Sequence, residues 1–129
     1  MSSSNAILGS VVLGFCPMID RQHQVGATRL TVIPRRPDAR VDAHELIACL
    51  AQVWPEGGGT LLINAVSEPL VQDLLRALPP HNFRVEVPAF MATDAAQLDI
   101  ITLLQKNGSK LIIKGRALAA VAPELQPSF

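Results

Sequence analysis

The run Leu61-Leu62-Ile63-Asn64 decides the fold of this chain, because two similar runs follow it at nearly equal distances. Arg84–Val87 begins 23 residues after Leu61, and Lys110–Ile113 begins 26 residues after Arg84. Each run is short and largely apolar, which is typical of a buried strand in a parallel sheet. Each interval is long enough for one helix. The spacing therefore predicts βαβ units with right-handed crossovers.

The residues before these runs predict an antiparallel pair of strands. Ile7–Ile19 and Val25–Pro34 are rich in β-forming residues, and the polar turn Asp20–Gln24 joins them as a hairpin. Three helices with apolar residues at helical spacing are expected between the later strands: Val41–Trp54, Glu68–Leu78 after the N-cap Ser67, and a helix from the N-cap Thr93 through Lys106. The predicted fold class is α/β, an N-terminal β-hairpin followed by βα repeats with a mainly parallel sheet. Residues 1–6 are predicted to be a flexible tail, and residues 7–129 a single domain.

The composition fits a globular domain and excludes several kinds of partner. Apolar residues make up 49% of the 129 residues, and 11 basic residues balance 11 acidic ones. Nucleic acid is not an expected partner, because binding it needs a concentrated basic surface. A membrane span is not expected either, because no run approaches about 20 apolar residues.

The cysteines and histidines predict neither a metal site nor a cofactor. Cys16 and Cys49 lie in apolar stretches, and we expect both to be buried, reduced thiols of a cytoplasmic protein. The three histidines, His23, His44 and His81, share no ligand spacing. The chain also supplies too few βα units for a complete TIM-type barrel, which takes about 200 residues or more. An open sheet keeps unpaired edges, so we expect a protein partner or a homo-oligomer formed through an exposed sheet edge.

Polar residues at the strand ends are the candidate ligand-binding residues. Asn64 is either a turn-capping amide or a binding group. Glu86 is either a carboxylate that faces solvent or pairs with Arg84, Arg29 or Lys114, or it contacts a ligand. The third strand is followed by Lys114 and Gly115 in place of carboxylates.

Phe15–Leu118 resembles the N-terminal half of an EAL domain, the barrel phosphodiesterase that hydrolyses cyclic diguanylate, and most of all the degenerate halves that precede an HDOD module. The resemblance lies in the order and spacing of five segments: Cys16–Arg21 (family "QPI-D"), Val25–Leu30 ("VGYEAL"), Leu62–Asn64 with its following helix ("VN"), Phe83–Pro88 ("LEI") and Asn107–Ile113 ("GYRIALDDF"). It implies that the sheet is half of a TIM-type barrel. Active members hold two divalent metals with a Glu, an Asn, a second Glu and an Asp pair.

This chain departs from that ligand set. Thr28 stands in place of the signature Glu, and Lys114 and Gly115 stand in place of the Asp pair, while Asn64 and Glu86 are kept. One amide and one carboxylate are too few for two hard cations, which take about six oxygens each. The sequence therefore favours a non-catalytic EAL-like regulatory or protein-interaction module in bacterial signal transduction. The alternatives are a sensor that binds cyclic diguanylate without cutting it, through Arg29, Arg84 and Lys114, and a small STAS-like α/β regulatory domain.

Overall fold

A five-stranded sheet forms the centre of the protein. The computed structural model describes residues 9–36, 40–54, 59–77, 79–80, 82–94, 97–106 and 111–114. The strands are β1 (Val11–Ile19), β2 (Val25–Pro34), β3 (Thr60–Ala65), β4 (Phe83–Pro88) and β5 (Ile112–Lys114). They lie side by side in chain order; β1 is antiparallel to β2, and every later pair is parallel. The predicted α/β fold with an N-terminal hairpin and a mainly parallel sheet is confirmed.

The helices connect the parallel strands. They are α1 (Ala43–Val53), α2 (Glu68–Arg76), α3 (Ala89–Ala92) and α4 (Leu98–Lys106). Side chains cap the first two helices: Asp42 accepts a hydrogen bond from the Glu45 N–H, and Ser67 accepts one from the Leu70 N–H. Among the described helices, none is long and apolar enough to cross a membrane.

The two faces of the sheet differ in chemistry. On one face, the alternate residues Leu30, Leu61, Ile63 and Val85 are fully buried and belong to a single core with the inner faces of the helices. Parallel strands in chain order with right-handed crossovers place all their helices on one side, which is why the core is one-sided. We call this side the helix face.

The opposite side carries the residues of opposite parity, and we call it the polar face. By the strand registers its charged and amide side chains lie on four adjacent strands. They are Arg29 on β2, Asn64 on β3, Arg84 and Glu86 on β4, and Lys114 on β5.

The β1–β2 hairpin turn is fixed by Asp20. Its carboxylate Oδ1 accepts hydrogen bonds from the backbone N–H groups of Gln22, at 2.9 Å, and Gln24, at 3.0 Å. His23 adopts the left-handed conformation, with φ 61°, which this tight turn requires. The predicted polar turn therefore has a side-chain mechanism, an Asx-type turn.

Two local predictions are wrong. Thr93 does not begin the last long helix; it ends the short helix α3, where its hydroxyl donates to the carbonyl oxygens of Ala89 and Phe90, and α4 begins only at Leu98. Cys16 is exposed, because its strand β1 is at the sheet edge and its side chain points away from the helices, whereas Cys49 is buried as expected. Both thiols are free.

Several other expectations concern parts of the chain that the structure does not describe. The tail over residues 1–6, Gly115 and the segment after it lie outside the described residues. The first strand was expected from Ile7, and within the described residues it begins at Val11.

Candidate functional site

The strand ends bring the candidate residues together on the polar face. Thr31 lies beside Asn64 in the β2–β3 register, and the β3–β4 register, in which Ile63 faces Val85, places Asn64 level with Glu86. Lys114 lies beside Pro88, which is the next residue of β4 after Glu86 on the same face of the sheet. The carboxyl ends of parallel strands meet at one edge of a sheet, so residues distant in sequence become neighbours here.

Glu86 is buried and paired with Arg29. Arg29 Nε donates to Glu86 Oε2 at 2.7 Å, and the terminal nitrogen Nη2 donates to Oε1 at 2.9 Å. Only 6% of the Glu86 side chain is exposed, against 36% of the Arg29 side chain. The two residues lie on β2 and β4, so this bidentate pair reaches across the whole width of β3. Of the alternatives for Glu86, pairing with Arg29 is the one observed.

This pairing changes the electrostatics of the guanidinium. The pKa of Arg29 is raised above its ordinary value, mainly by the hydrogen bond to Glu86. Burial lowers this pKa, but the hydrogen bond and the attraction to the Glu86 charge together outweigh the effect of burial. The guanidinium, which is charged at neutral pH in any surroundings, is held more firmly in its charged form by this contact. A carboxylate as buried as Glu86 would be strongly destabilising without such a partner.

A second link runs beside the first, one strand further along the sheet. Lys114 Nζ donates to Asn64 Oδ1 at 2.7 Å, and Asn64 Nδ2 lies 3.4 Å from Thr31 Oγ1, to which it donates a long hydrogen bond. Lys114 is on β5 and Asn64 is on β3, so this link passes over β4. The amide thus bridges strands instead of capping a turn. Each of the two candidate oxygen donors is held by a cation from two strands away.

Arg84 is the remaining charged residue of the polar face. It lies beside Leu62 in the β3–β4 register, and its Nε is buried without a hydrogen-bond partner. Among the described strand residues on this face, Arg29, Arg84 and Lys114 are basic and Glu86 alone is acidic. The polar face therefore carries an excess of positive charge.

This arrangement sets what the site can do chemically. Within the described residues, no three His, Cys, Asp or Glu side chains come close enough to hold a metal ion. Thr28, the position that the resemblance assigns to the signature Glu, has the same parity as Leu30 and so lies on the helix face, away from Asn64. Its neighbour Arg29 occupies the polar face. Arg29 was among the partners expected for Glu86 from the sequence, whereas the Lys114–Asn64 bond has no signal in the sequence.

Another polar cluster lies at the surface hollow between α1 and α2. There Arg40 makes a bidentate pair with Asp73, with its Nη2 3.0 Å from Oδ1, and His44 and Arg76 line the same hollow. The Arg40 side chain is 77% exposed. Exposed pairs of this kind contribute little to stability, and the hollow is separate from the strand-end residues.

Taken together, the fold and the polar face define an α/β sheet domain with one helical layer and a cation-linked opposite face. Comparison of the chain with protein-family models, with curated proteins and with solved structures finds no match in any of the three. The likeness to EAL domains thus stays a prediction from the sequence.

Proposed function

We propose that this chain is a non-catalytic, EAL-like regulatory module that acts in bacterial signal transduction by binding a protein partner. One observation carries the proposal. Both oxygen-donating residues at the strand ends, Glu86 and Asn64, are already bonded to basic side chains.

The electrostatics of these bonds oppose a dinuclear metal site. Divalent metals such as Mg²⁺ take about six oxygen ligands each, and proteins hold them through carboxylates together with carbonyl oxygens and water. Both oxygens of the Glu86 carboxylate accept hydrogen bonds from Arg29, and the Lys114 ammonium lies 2.7 Å from the Asn64 oxygen. A metal ion at this edge would have to displace the Arg29 and Lys114 side chains, or it would bind more weakly because their positive charges repel it.

The exposed apolar surface supports a role in protein binding. Six large apolar side chains of the β1–β2 hairpin are between 42% and 62% exposed: Val12, Phe15, Met18, Ile19, Val25 and Ile33. Single exposed apolar residues are ordinary on protein surfaces, but Val12 is the cross-strand partner of Ile33 and Ile19 that of Val25, so these side chains form contiguous apolar pairs, as at interaction sites. The hairpin is therefore the surface on which we expect a partner.

A hydrolysis assay tests the catalytic half of this proposal. We expect no cleavage of cyclic diguanylate by the wild-type protein in Mg²⁺ or Mn²⁺, and no rise in melting temperature when either metal is added, since an ion that binds only the native state stabilises it. Neither Glu86→Gln nor the matched surface variant Glu68→Gln should cleave cyclic diguanylate or gain melting temperature when metal is added. Metal-dependent cleavage that Glu86→Gln abolishes and Glu68→Gln leaves intact would refute the proposal.

One observation favours a second candidate, a sensor that binds cyclic diguanylate without cutting it. The buried Arg84 Nε has no partner, and it lies on a face with an excess of positive charge, where a phosphate group would be attracted. Calorimetry with cyclic diguanylate tests this candidate. Binding that Arg84→Met abolishes and the exposed-surface control Arg76→Met preserves would support it, and no heat at high micromolar ligand would exclude it.

A further inference from the structure

The polar face of the sheet has no helix packed on it within the part of the chain that the structure describes. Burial alternates along β3, where Ile63 on the helix face is fully buried and Leu62 on the polar face is partly exposed. On the hairpin, the cross-strand partners Val12 and Ile33 point to the polar face and are 49% and 42% exposed. Sheets of parallel strands are almost always covered on both faces. The polar face is therefore a surface on which a partner can lie.

The polar face has an apolar side and a basic side. Val12 and Ile33 lie on β1 and β2, whereas Arg84 and Lys114 lie on β4 and β5. Neighbouring strands are about 4.8 Å apart, so β2 and β4 are separated by about 10 Å. A helix with its side chains has a diameter of about 10–12 Å. One helix that lies along β3 therefore reaches the apolar side with one flank and the basic side with the other.

Arg84 and Lys114 are also separated along the strand direction. Lys114 lies beside Pro88, which is four residues after Arg84 on β4. A strand rises about 3.3 Å per residue, so the two positions are about 13 Å apart along the sheet. Two turns of a helix cover about 11 Å. Carboxylates two turns apart on the flank of such a helix are therefore within reach of both basic side chains.

The charges on this face favour an acidic partner. Glu86 balances the charge of Arg29. Within the described residues, neither Arg84 nor Lys114 forms an ion pair with a carboxylate. Two copies packed through their polar faces would bring these like charges together, which is unfavourable. A flat anionic membrane fits less well than a helix, because Lys114 is partly buried and is held against the sheet by its bond to Asn64.

We propose that the polar face binds an acidic amphipathic helix of a partner protein. The apolar stripe of this helix lies against Ile33 and Leu62, and two of its carboxylates, about two turns apart, pair with Arg84 and Lys114. This inference rests on the proposed protein-binding function and names the chemistry of the partner. Burial of the apolar side chains supplies affinity. The two ion pairs fix the orientation of the helix on the sheet.

A display library of helical peptides tests which chemistry the face prefers. Each peptide has about 18 residues, five turns of helix, with an apolar stripe of Leu, Ile, Val or Phe. The positions that flank the stripe are varied among Glu, Gln and Lys. Selection against the full chain should enrich Glu at two flanking positions about two turns apart. Enrichment of Lys, no preference at the flanking positions, or no binding peptide at all would overturn the inference.

Fluorescence anisotropy with a selected peptide locates its binding site on the chain. Arg84→Met and Ile33→Ser should each raise the Kd at least about tenfold, because one removes an ion pair and the other an apolar contact. The matched controls are Arg76→Met on α2 and Val53→Ser on α1, both exposed side chains of the helical layer, and they should leave the Kd unchanged. Circular dichroism checks that each variant is folded. Equal weakening by a variant and its control would overturn the inference.

Two other occupants of the polar face would give different results. A dimer in sedimentation experiments that Ile33→Ser abolishes would place a second copy on the face. Binding to phosphatidylserine vesicles that Arg84→Met abolishes would place a lipid surface there, and either result would overturn the inference. The hydrolysis test is independent, since metal-dependent cleavage would refute the non-catalytic function and leave peptide binding intact, whereas a missing peptide complex would leave the hydrolysis result unchanged.

Discussion

Replacing Arg29 with Met should destabilise the protein through Glu86. Methionine keeps most of the length and apolar volume of the side chain but removes both hydrogen bonds, of 2.7 and 2.9 Å. It leaves the Glu86 carboxylate, on a side chain that is 6% exposed, without its partner. Hydrogen bonds to charged groups contribute about 1.5–3 kcal/mol each. Because 36% of the Arg29 side chain is exposed, water can replace part of the loss. We therefore expect the free energy of unfolding to fall by about 2 kcal/mol.

Urea unfolding followed by circular dichroism measures this loss, and the chain provides its own control. Arg40 makes the same bidentate contact with Asp73, but its side chain is 77% exposed, so Arg40→Met should cost less than about 1 kcal/mol. Adding Glu86→Gln to Arg29→Met removes the unpaired buried charge. The loss of stability in the double variant should therefore be smaller than the sum of the two single losses by about 1 kcal/mol or more. If Arg29→Met cost no more than Arg40→Met, the reasoning about the buried carboxylate would be refuted.

Three further outcomes follow from burial and contacts. Lys114→Met should lower the free energy of unfolding by about 1 kcal/mol, because it removes the 2.7 Å bond to Asn64; an unchanged urea midpoint would contradict that bond. Leu74→Ala should cost about 2–5 kcal/mol in the same assay, since Leu74 is fully buried, whereas Leu103→Ala, at a side chain 43% exposed, should cost much less; equal costs would place Leu74 outside the core. A thiol reagent should modify one cysteine, Cys16, in the native protein and Cys49 only after unfolding, as mass spectrometry of the labelled peptides would establish; native labelling of Cys49 would contradict its burial.

The architecture was predictable because it depends on spacing and pattern. The nearly equal intervals between the apolar runs and the polar turn before Val25 were sufficient to predict the hairpin and the mainly parallel sheet. The start of the last long helix was not predicted correctly, because that helix begins at Leu98 and not after Thr93. A threonine hydroxyl can bond a carbonyl in the preceding turn as well as an N–H in the following one, and here it bonds Ala89.

The site was predictable only in part. That Asn64, Glu86 and Lys114 share one edge follows from the parallel strands. Which of them bond to each other depends on how far side chains reach across the sheet, and both observed links skip a strand. The exposure of Cys16 has a similar origin, because an apolar stretch does not reveal that its strand lies at the sheet edge.

The order of the strands has a consequence for how the chain folds. The β1–β2 hairpin joins neighbouring segments of the chain, whereas each parallel pairing first has to close a helical crossover, as between Ala27 and Thr60 or between Leu61 and Phe83. Contacts between nearby segments have the smaller entropic barrier, so we expect the hairpin to form before the parallel pairs. The Arg29–Glu86 bond, between residues 57 positions apart, needs β2, β3 and β4 to be assembled first. We expect it to form late and to slow unfolding more than it speeds folding.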